Sequence, residues 1–187
     1  MHELCGGLRV ELHKFRRGGD QQHFDFVGSI YPVFDVPLAD ALAQCKARYP
    51  IKGPIEACDT ILCLTNRCRI ALNERLNAFH EKEGAIVVKD DGQTMRLWDG
   101  ILLQAAVTDR KNLANALRYR VLEISDATCS LVRVNDKGKV VGEAFVMPTP
   151  EIPRKMRLTY AITYDSSQAR TLYGRVRLVQ TDHAHMT

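Results

Sequence analysis

Leu158-Thr-Tyr-Ala-Ile-Thr-Tyr-Asp-Ser-Ser-Gln-Ala-Arg-Thr-Leu172 is the stretch from which the rest of the chain can be read. Leu158, Tyr160 and Ile162 alternate with Thr159, Ala161 and Thr163, the pattern of a half-buried strand. Asp165, Ser166 and Ser167 come next, with side-chain oxygens that can cap a helix, so the spacing predicts a helix opening over 168–172. A helix N-terminus directly after a strand presents free N–H groups and a positive dipole end, which suits phosphate. Arg154, Lys155 and Arg157 precede the stretch, and Arg170, Arg175 and Arg177 lie in or after it. An ordinary strand–turn–helix with solvated arginines carries the same pattern.

Working outward, Thr60-Ile-Leu-Cys-Leu-Thr65 is a continuous apolar run, as expected of a central parallel strand. Asn66 then caps a helix over 67–80, with Ile70, Asn73, Leu76 and Asn77 near one face. Upstream, Asp20 caps a helix over 20–30 whose stripe is Phe24, Val27 and Ile30, and Pro37 opens a second over 37–49. A last strand is expected over 175–179.

Residues 82–148 change character. Short apolar runs at 85–88, 95–98, 101–107, 119–124, 128–134 and 140–146 are separated by Asp90-Asp-Gly92, Asp99-Gly100 and Asn135-Asp-Lys-Gly138. That spacing predicts a small antiparallel barrel or meander. Trp98, the only tryptophan, suits the core of that module better than a base-stacking surface.

The chain has 187 residues and a formal net charge of +4, which permits a nucleic-acid partner without demanding one. No apolar run is long enough to span a bilayer, and Met1-His-Glu-Leu-Cys-Gly-Gly7 has neither the basic leader nor the apolar core of a signal peptide. An intracellular protein, nuclear or cytoplasmic, with no membrane partner is expected. Six cysteines include no Cys-x-x-Cys pair, so reduced, largely buried thiols are expected in preference to a metal site or disulfides. His183 and His185 are read as structural or exposed, leaving no metal site. No Gly-x-x-x-x-Gly-Lys-Ser/Thr loop is present, and no Asp-Glu pair stands after an apolar strand to hold magnesium.

Thr163-Tyr-Asp-Ser-Ser-Gln-Ala-Arg-Thr-Leu172 resembles motif V of superfamily 1 DNA helicases of the Pif/RecD-like branch. Thr163, Ser167, Gln168, Thr171 and Leu172 match that motif, while Asp165, Ser166 and Ala169 stand where His, Lys and Gly are usual. Lys14-Phe-Arg-Arg17 is similar to motif IV, and the strand–Thr65-Asn66–helix unit resembles the element after it. The segment 174–187 resembles the one such proteins carry before motif VI, especially in large DNA viruses and mobile elements.

The resemblance implies an α/β fold: a RecA-like parallel sheet with helices, formed by 1–81 and 149–187, carrying an inserted small antiparallel β barrel of the Src-homology-3 kind at 82–148. Asn115-Ala116 stands where an Asn-Gly turn is common in that insert. The implied function is the C-terminal portion of an ATP-dependent helicase that translocates on single-stranded DNA, inactive alone for want of the phosphate loop, the magnesium carboxylates and the motif VI arginine. Arg16 is the implied catalytic and γ-phosphate-contacting residue, with Arg17 beside it at the nucleotide. Thr65, Asn66, Ser167, Gln168, Arg170 and Thr171 are the implied DNA contacts. ATP and Mg²⁺ belong to the complete enzyme, with neither expected to bind this chain tightly. The implied partners are single-stranded DNA and an N-terminal RecA-like half. A non-enzymatic nucleic-acid-binding module and a degenerate helicase remnant are the alternatives.

Overall fold

The computed structural model describes residues 20–30, 37–90, 93–109, 112–168 and 170–181. The chain divides after Ile51 into two compact units.

In the first unit, Asp20 accepts a hydrogen bond from the His23 N–H at 2.9 Å and so caps helix α1, Gln21–Ile30, as its position predicts. Helix α2, Leu38–Arg48, comes after Pro37. Tyr49, just past its end, meets α1 through a 2.5 Å hydrogen bond with His23 and an edge-on contact with Phe26. Arg16 and Arg17 lie outside the described residues.

The second unit begins at Lys52. Strand β1, Thr60–Cys63, is buried at every position. A strand without an exposed face must be covered on both sides, which is what its uninterrupted apolar sequence foretells. Helix α3, Asn66–Phe79, comes directly after it. Among the described residues β1 lies between two parallel neighbours, β9 at Ala161–Thr163 and β10 at Val176–Leu178. Of the strands expected at 60–65, 158–163 and 175–179, the segments 60–63, 161–163 and 176–178 meet in one parallel sheet.

The antiparallel part contains β2 (Ile86–Asp90), β3 (Gln93–Leu97), β4 (Leu102–Ala105), β5 (Arg118–Ile124), β6 (Thr128–Val134), β7 (Val140–Pro148) and β8 (Met156–Leu158). β2 and β3 form a separate ribbon, and the other five are ordered β7-β6-β5-β4-β8. Their common core is built from Met95, Leu97, Trp98, Leu103, Tyr119, Val121, Leu131, Met147, Met156 and Leu158, with Ile152 from the short helix α4, Ile152–Lys155. Trp98 is in that core, as expected.

The barrel expectation is corrected. No sheet among the described residues closes on itself: β7 and β8 are the two ends of the five-stranded order, and β3 pairs with β2 alone. Closure needs the terminal strands to exchange hydrogen bonds. Here a side chain occupies the outer edge of the ribbon: Asn77 of α3 donates to the Arg96 carbonyl at 2.8 Å and accepts from the Arg96 N–H at 2.7 Å. Glu74 adds a bond to the Thr94 N–H at 2.8 Å. The backbone groups an additional strand would need at Arg96 are already satisfied.

One turn earlier on α3, Asn73 makes the same paired contact with Ala161 of β9, donating at 2.8 Å and accepting at 3.0 Å. Asn73 and Asn77 are both buried, along with Leu76 and Arg69. Residues four apart share a helix face. This face therefore holds a parallel strand with one amide and an antiparallel ribbon with the next.

The strand read over 158–163 is two strands. Leu158 ends β8 and pairs with Leu103 of the antiparallel sheet, whereas Ala161 begins β9 and pairs with Ile61 of the parallel sheet. A bend at Thr159 and Tyr160 separates them, and the alternation of the sequence runs across it although β9 is buried at every position.

Candidate nucleic-acid interface

Parallel strands carry their connections to the same end, and ligands of open α/β sheets bind beyond the C-terminal ends of the strands. Cys63 is in register with Thr163. Leu64, Thr65 and Asn66, which continue from β1, therefore emerge beside Tyr164 to Gln168, which continue from β9, about 4.8 Å away from strand axis to strand axis. Of the residues singled out for DNA, Thr65 and Asn66 are thus brought to the same end of the sheet as Ser167 and Gln168.

Thr65 is the N-cap of α3: its hydroxyl oxygen accepts from the Cys68 N–H at 3.2 Å. The cap is thus one residue earlier than expected. Asn66 is the first helical residue, exposed, and its Oδ1 accepts from Arg69 Nε at 3.1 Å. Across the edge, Thr163 rather than Asp165 or the serines caps the next element, accepting from the Ser166 N–H at 3.3 Å. That element, α5, is a single turn, Tyr164–Ser167.

Among the described residues of 168–172 the expected helix is absent. Gln168 has ψ 139°, an extended value that ends the turn, and residues 170–173 are irregular. A one-turn helix has little aligned dipole, so the predicted helix-terminus phosphate site does not form. The Ser167 hydroxyl donates to the Tyr164 carbonyl at 2.6 Å. Gln168 and Thr171 are exposed. Arg170 turns inward instead, half-buried and hydrogen-bonded to the Ala116 carbonyl. Burial foremost, and then the charge of Arg118, lowers its pKa, with Asp136 acting in the opposite sense.

Gln180 and Arg69 belong to this edge and have no pattern in the sequence that marks them. Gln180 Oε1 accepts from the N–H groups of Leu64 and Thr65 at 3.0 and 3.2 Å, and its Nε2 reaches the Thr65 hydroxyl at 3.4 Å. Its own backbone sits at φ +60°, a strained conformation for a residue other than glycine. Gln180 thus fixes the loop that carries Thr65 and Asn66. Tyr164 braces the other side by donating to the Val179 carbonyl at 3.0 Å.

Cys63 and Cys129 are buried, while Cys45, Cys58 and Cys68 are half-buried, all as free thiols. Among the described residues no group of three or more His, Cys, Asp and Glu side chains converges to hold a metal ion, and no helix is long and apolar enough to cross a membrane. A cavity of about 230 Å³ lined by Asp59, Trp98, Ile101 and Tyr160 lies by the residues that precede β1 and β9, at the opposite end of the parallel sheet.

The fold is of a definite class: mixed α/β, with a parallel sheet and an antiparallel sheet. Solved structures of Pif1 helicases share it. A Bacteroides Pif1 in complex with ADP-AlF3 and single-stranded DNA matches with TM-score 0.56 and 16% identity over 90% of this chain. The Candida albicans Pif1 matches with TM-score 0.52 and 16% identity over 87%. A Pif1 from a study of unwinding at forked double-stranded DNA matches with TM-score 0.55 and 14% identity over 88%. The chain spans 45%, 48% and 42% of the lengths of these three. No family model matches the sequence, and no curated protein does.

Proposed function

We propose that this chain is the C-terminal portion of an ATP-dependent DNA helicase, a second RecA-like domain whose parallel-sheet edge holds single-stranded DNA. The observation that carries the reading is the Cys63–Thr163 register, which sets Thr65–Asn66 beside Ser167–Gln168 at the C-terminal end of the sheet. The likeness in fold to Pif1 structures supports it.

On this reading Thr65, Asn66, Ser167, Gln168 and Thr171 offer hydroxyls and amides to backbone phosphates, which positions the strand without reading its sequence. Residues 82–148 are the inserted module, with β8 as its seam to the parent domain. Arg16, assisted by Arg17, stabilises charge on the transferred phosphoryl group at a nucleotide held between this domain and a first RecA-like half. A bound ATP would supply the phosphoryl group, with Mg²⁺ offsetting its charge. On this reading the Mg²⁺ ligands and the phosphate cradle belong to the other half, and hydrolysis requires both.

The test uses a protein in which this chain is joined to a first RecA-like half. Gln168→Ala is expected to lower DNA-stimulated ATP hydrolysis while sparing the basal rate. Equal loss of both rates, or of neither, would overturn the assignment of this edge to DNA.

A further inference from the structure

A row of cations crosses the face of the antiparallel sheet that points away from its core. Arg157 of β8 lies opposite Gln104 of β4, and Gln104 lies opposite Arg118 of β5. Opposed residues share a face, and two strand spacings make the row roughly 10 Å long. Both ends are extended by arginines from other elements. Arg69 of α3 feels the charge of Arg157, and Arg170 feels that of Arg118; in each, burial is the larger cause that lowers the pKa and the neighbouring guanidinium adds to it.

These four differ from four of the other described basic residues and share partial or full burial. Arg75, Arg96, Arg154 and Lys155 each hold a carboxylate, from Glu56, Glu81, Asp90 and Glu151. No such ion pair involves Arg69, Arg118, Arg157 or Arg170 among the described residues. Arg69 is only 8% exposed and its guanidinium bonds to the Asn66 side chain. Asp136 is the carboxylate that acts on Arg170. Two polar atoms inside the row, Gln104 Oε1 and Arg118 Nε, are buried without a hydrogen-bond partner.

Adjacent, partly desolvated cations repel and disfavour the folded chain. An anion with several acceptor oxygens reverses that balance, and guanidinium forks match phosphate oxygens in pairs. Arg69 ties the row to the sheet edge, since it is anchored to Asn66.

We propose that Arg69, Arg157, Arg118 and Arg170, with Gln104 among them, form a second phosphate-binding track that takes the backbone of single-stranded nucleic acid from the sheet edge onto the antiparallel module. The track rests on the function proposed above and extends it from the loop edge to the insert.

The experiment is fluorescence anisotropy of a labelled oligothymidylate with the 187-residue chain, across a range of salt. Arg118→Gln and Arg157→Gln are each expected to weaken binding about tenfold and to lower the salt slope by about 0.7. Arg118→Lys/Arg157→Lys keeps the slope. Thr65→Ala/Gln168→Ala reports on the edge separately. Should the edge variant weaken binding while the arginine variants bind like wild type, the track is overturned and the edge assignment stands. Absence of binding by the wild-type chain overturns both. If the glutamine variants do not fold, phenylglyoxal modification of the wild-type chain decides: Arg118 and Arg157 are protected by oligothymidylate if the track exists, and equal modification with and without it sinks the track.

Discussion

Asn73 holds both backbone hydrogen-bonding groups of Ala161, donating to its carbonyl at 2.8 Å and accepting from its N–H at 3.0 Å. Ala161 pairs with Ile61 on its other side, so one side-chain amide occupies the position an additional strand would take. Asn73→Ala leaves a buried donor and acceptor unpaired and is expected to cost about 2–3 kcal/mol. Asn73→Asp retains the acceptor but loses the donor and should be no better. Urea unfolding measures both, and a cost under about 0.5 kcal/mol, the size of an ordinary surface change, would show the contact to be incidental.

Ala116 sits at φ +70° with its N–H bonded to the Ala105 carbonyl at 2.9 Å. This is the turn where the resembling proteins commonly have Asn-Gly. A left-handed alanine costs roughly 1–2 kcal/mol, partly offset by the extra freedom glycine has when unfolded. Ala116→Gly should therefore raise stability by about 0.5–1 kcal/mol, read as a higher melting temperature. Gly174→Ala should do the reverse. Its φ is +81° and an added Cβ would lie 2.3 Å from Asp59 Oδ2, the oxygen that accepts from the Arg175 N–H.

Burial pushes the Cys63 thiol up to about 11, with Cys68 adding to the rise and Arg69 opposing it. Burial likewise lifts Cys129 to about 11, helped by the charge of Asp99. Between about 9 and 11 the unfolded thiols ionise while the folded ones stay protonated. The unfolded state then binds fewer protons, and stability falls as pH rises. The urea midpoint should fall across that window and fall less steeply in Cys63→Ala/Cys129→Ala. Parallel pH profiles for the two proteins would remove the thiols as the cause.

Much of this was legible from residues alone, and the limits have physical reasons. The apolar run at 60–65 suits a strand covered on both faces, and β1 is one over Thr60–Cys63. The alternation at 158–163 could not say that Leu158 and Ala161 belong to different sheets, because a period of two records exposure, not partners. The count of short strands over 82–148 foretold an antiparallel module, but closure depends on which edges meet, and Asn77 occupies one of them. The helix expected after Thr163 fails where Gln168 turns extended and Arg170 is bound by the Ala116 carbonyl, a contact 54 residues away in sequence. Arg69 and Gln180 are single polar residues outside any motif, visible only once the strands lie side by side.

The 187-residue chain alone should hydrolyse no ATP, with or without DNA. On the function proposed above, charge stabilisation by Arg16 cannot assemble the reaction without a phosphate cradle and Mg²⁺ ligands. A coupled ATPase assay checks this. DNA-stimulated turnover abolished by Arg16→Ala would contradict the assignment of those parts to another half.

On the function proposed, single-stranded DNA lies along the C-terminal edge of the parallel sheet. A photo-crosslinking amino acid at Gln168, which is exposed beside α5, tests it against the same residue at Val146, 63% exposed on β7. The account predicts ultraviolet crosslinks to an oligothymidylate from position 168 and a background signal from 146. Background signal at 168, or an equal signal at both, would contradict it.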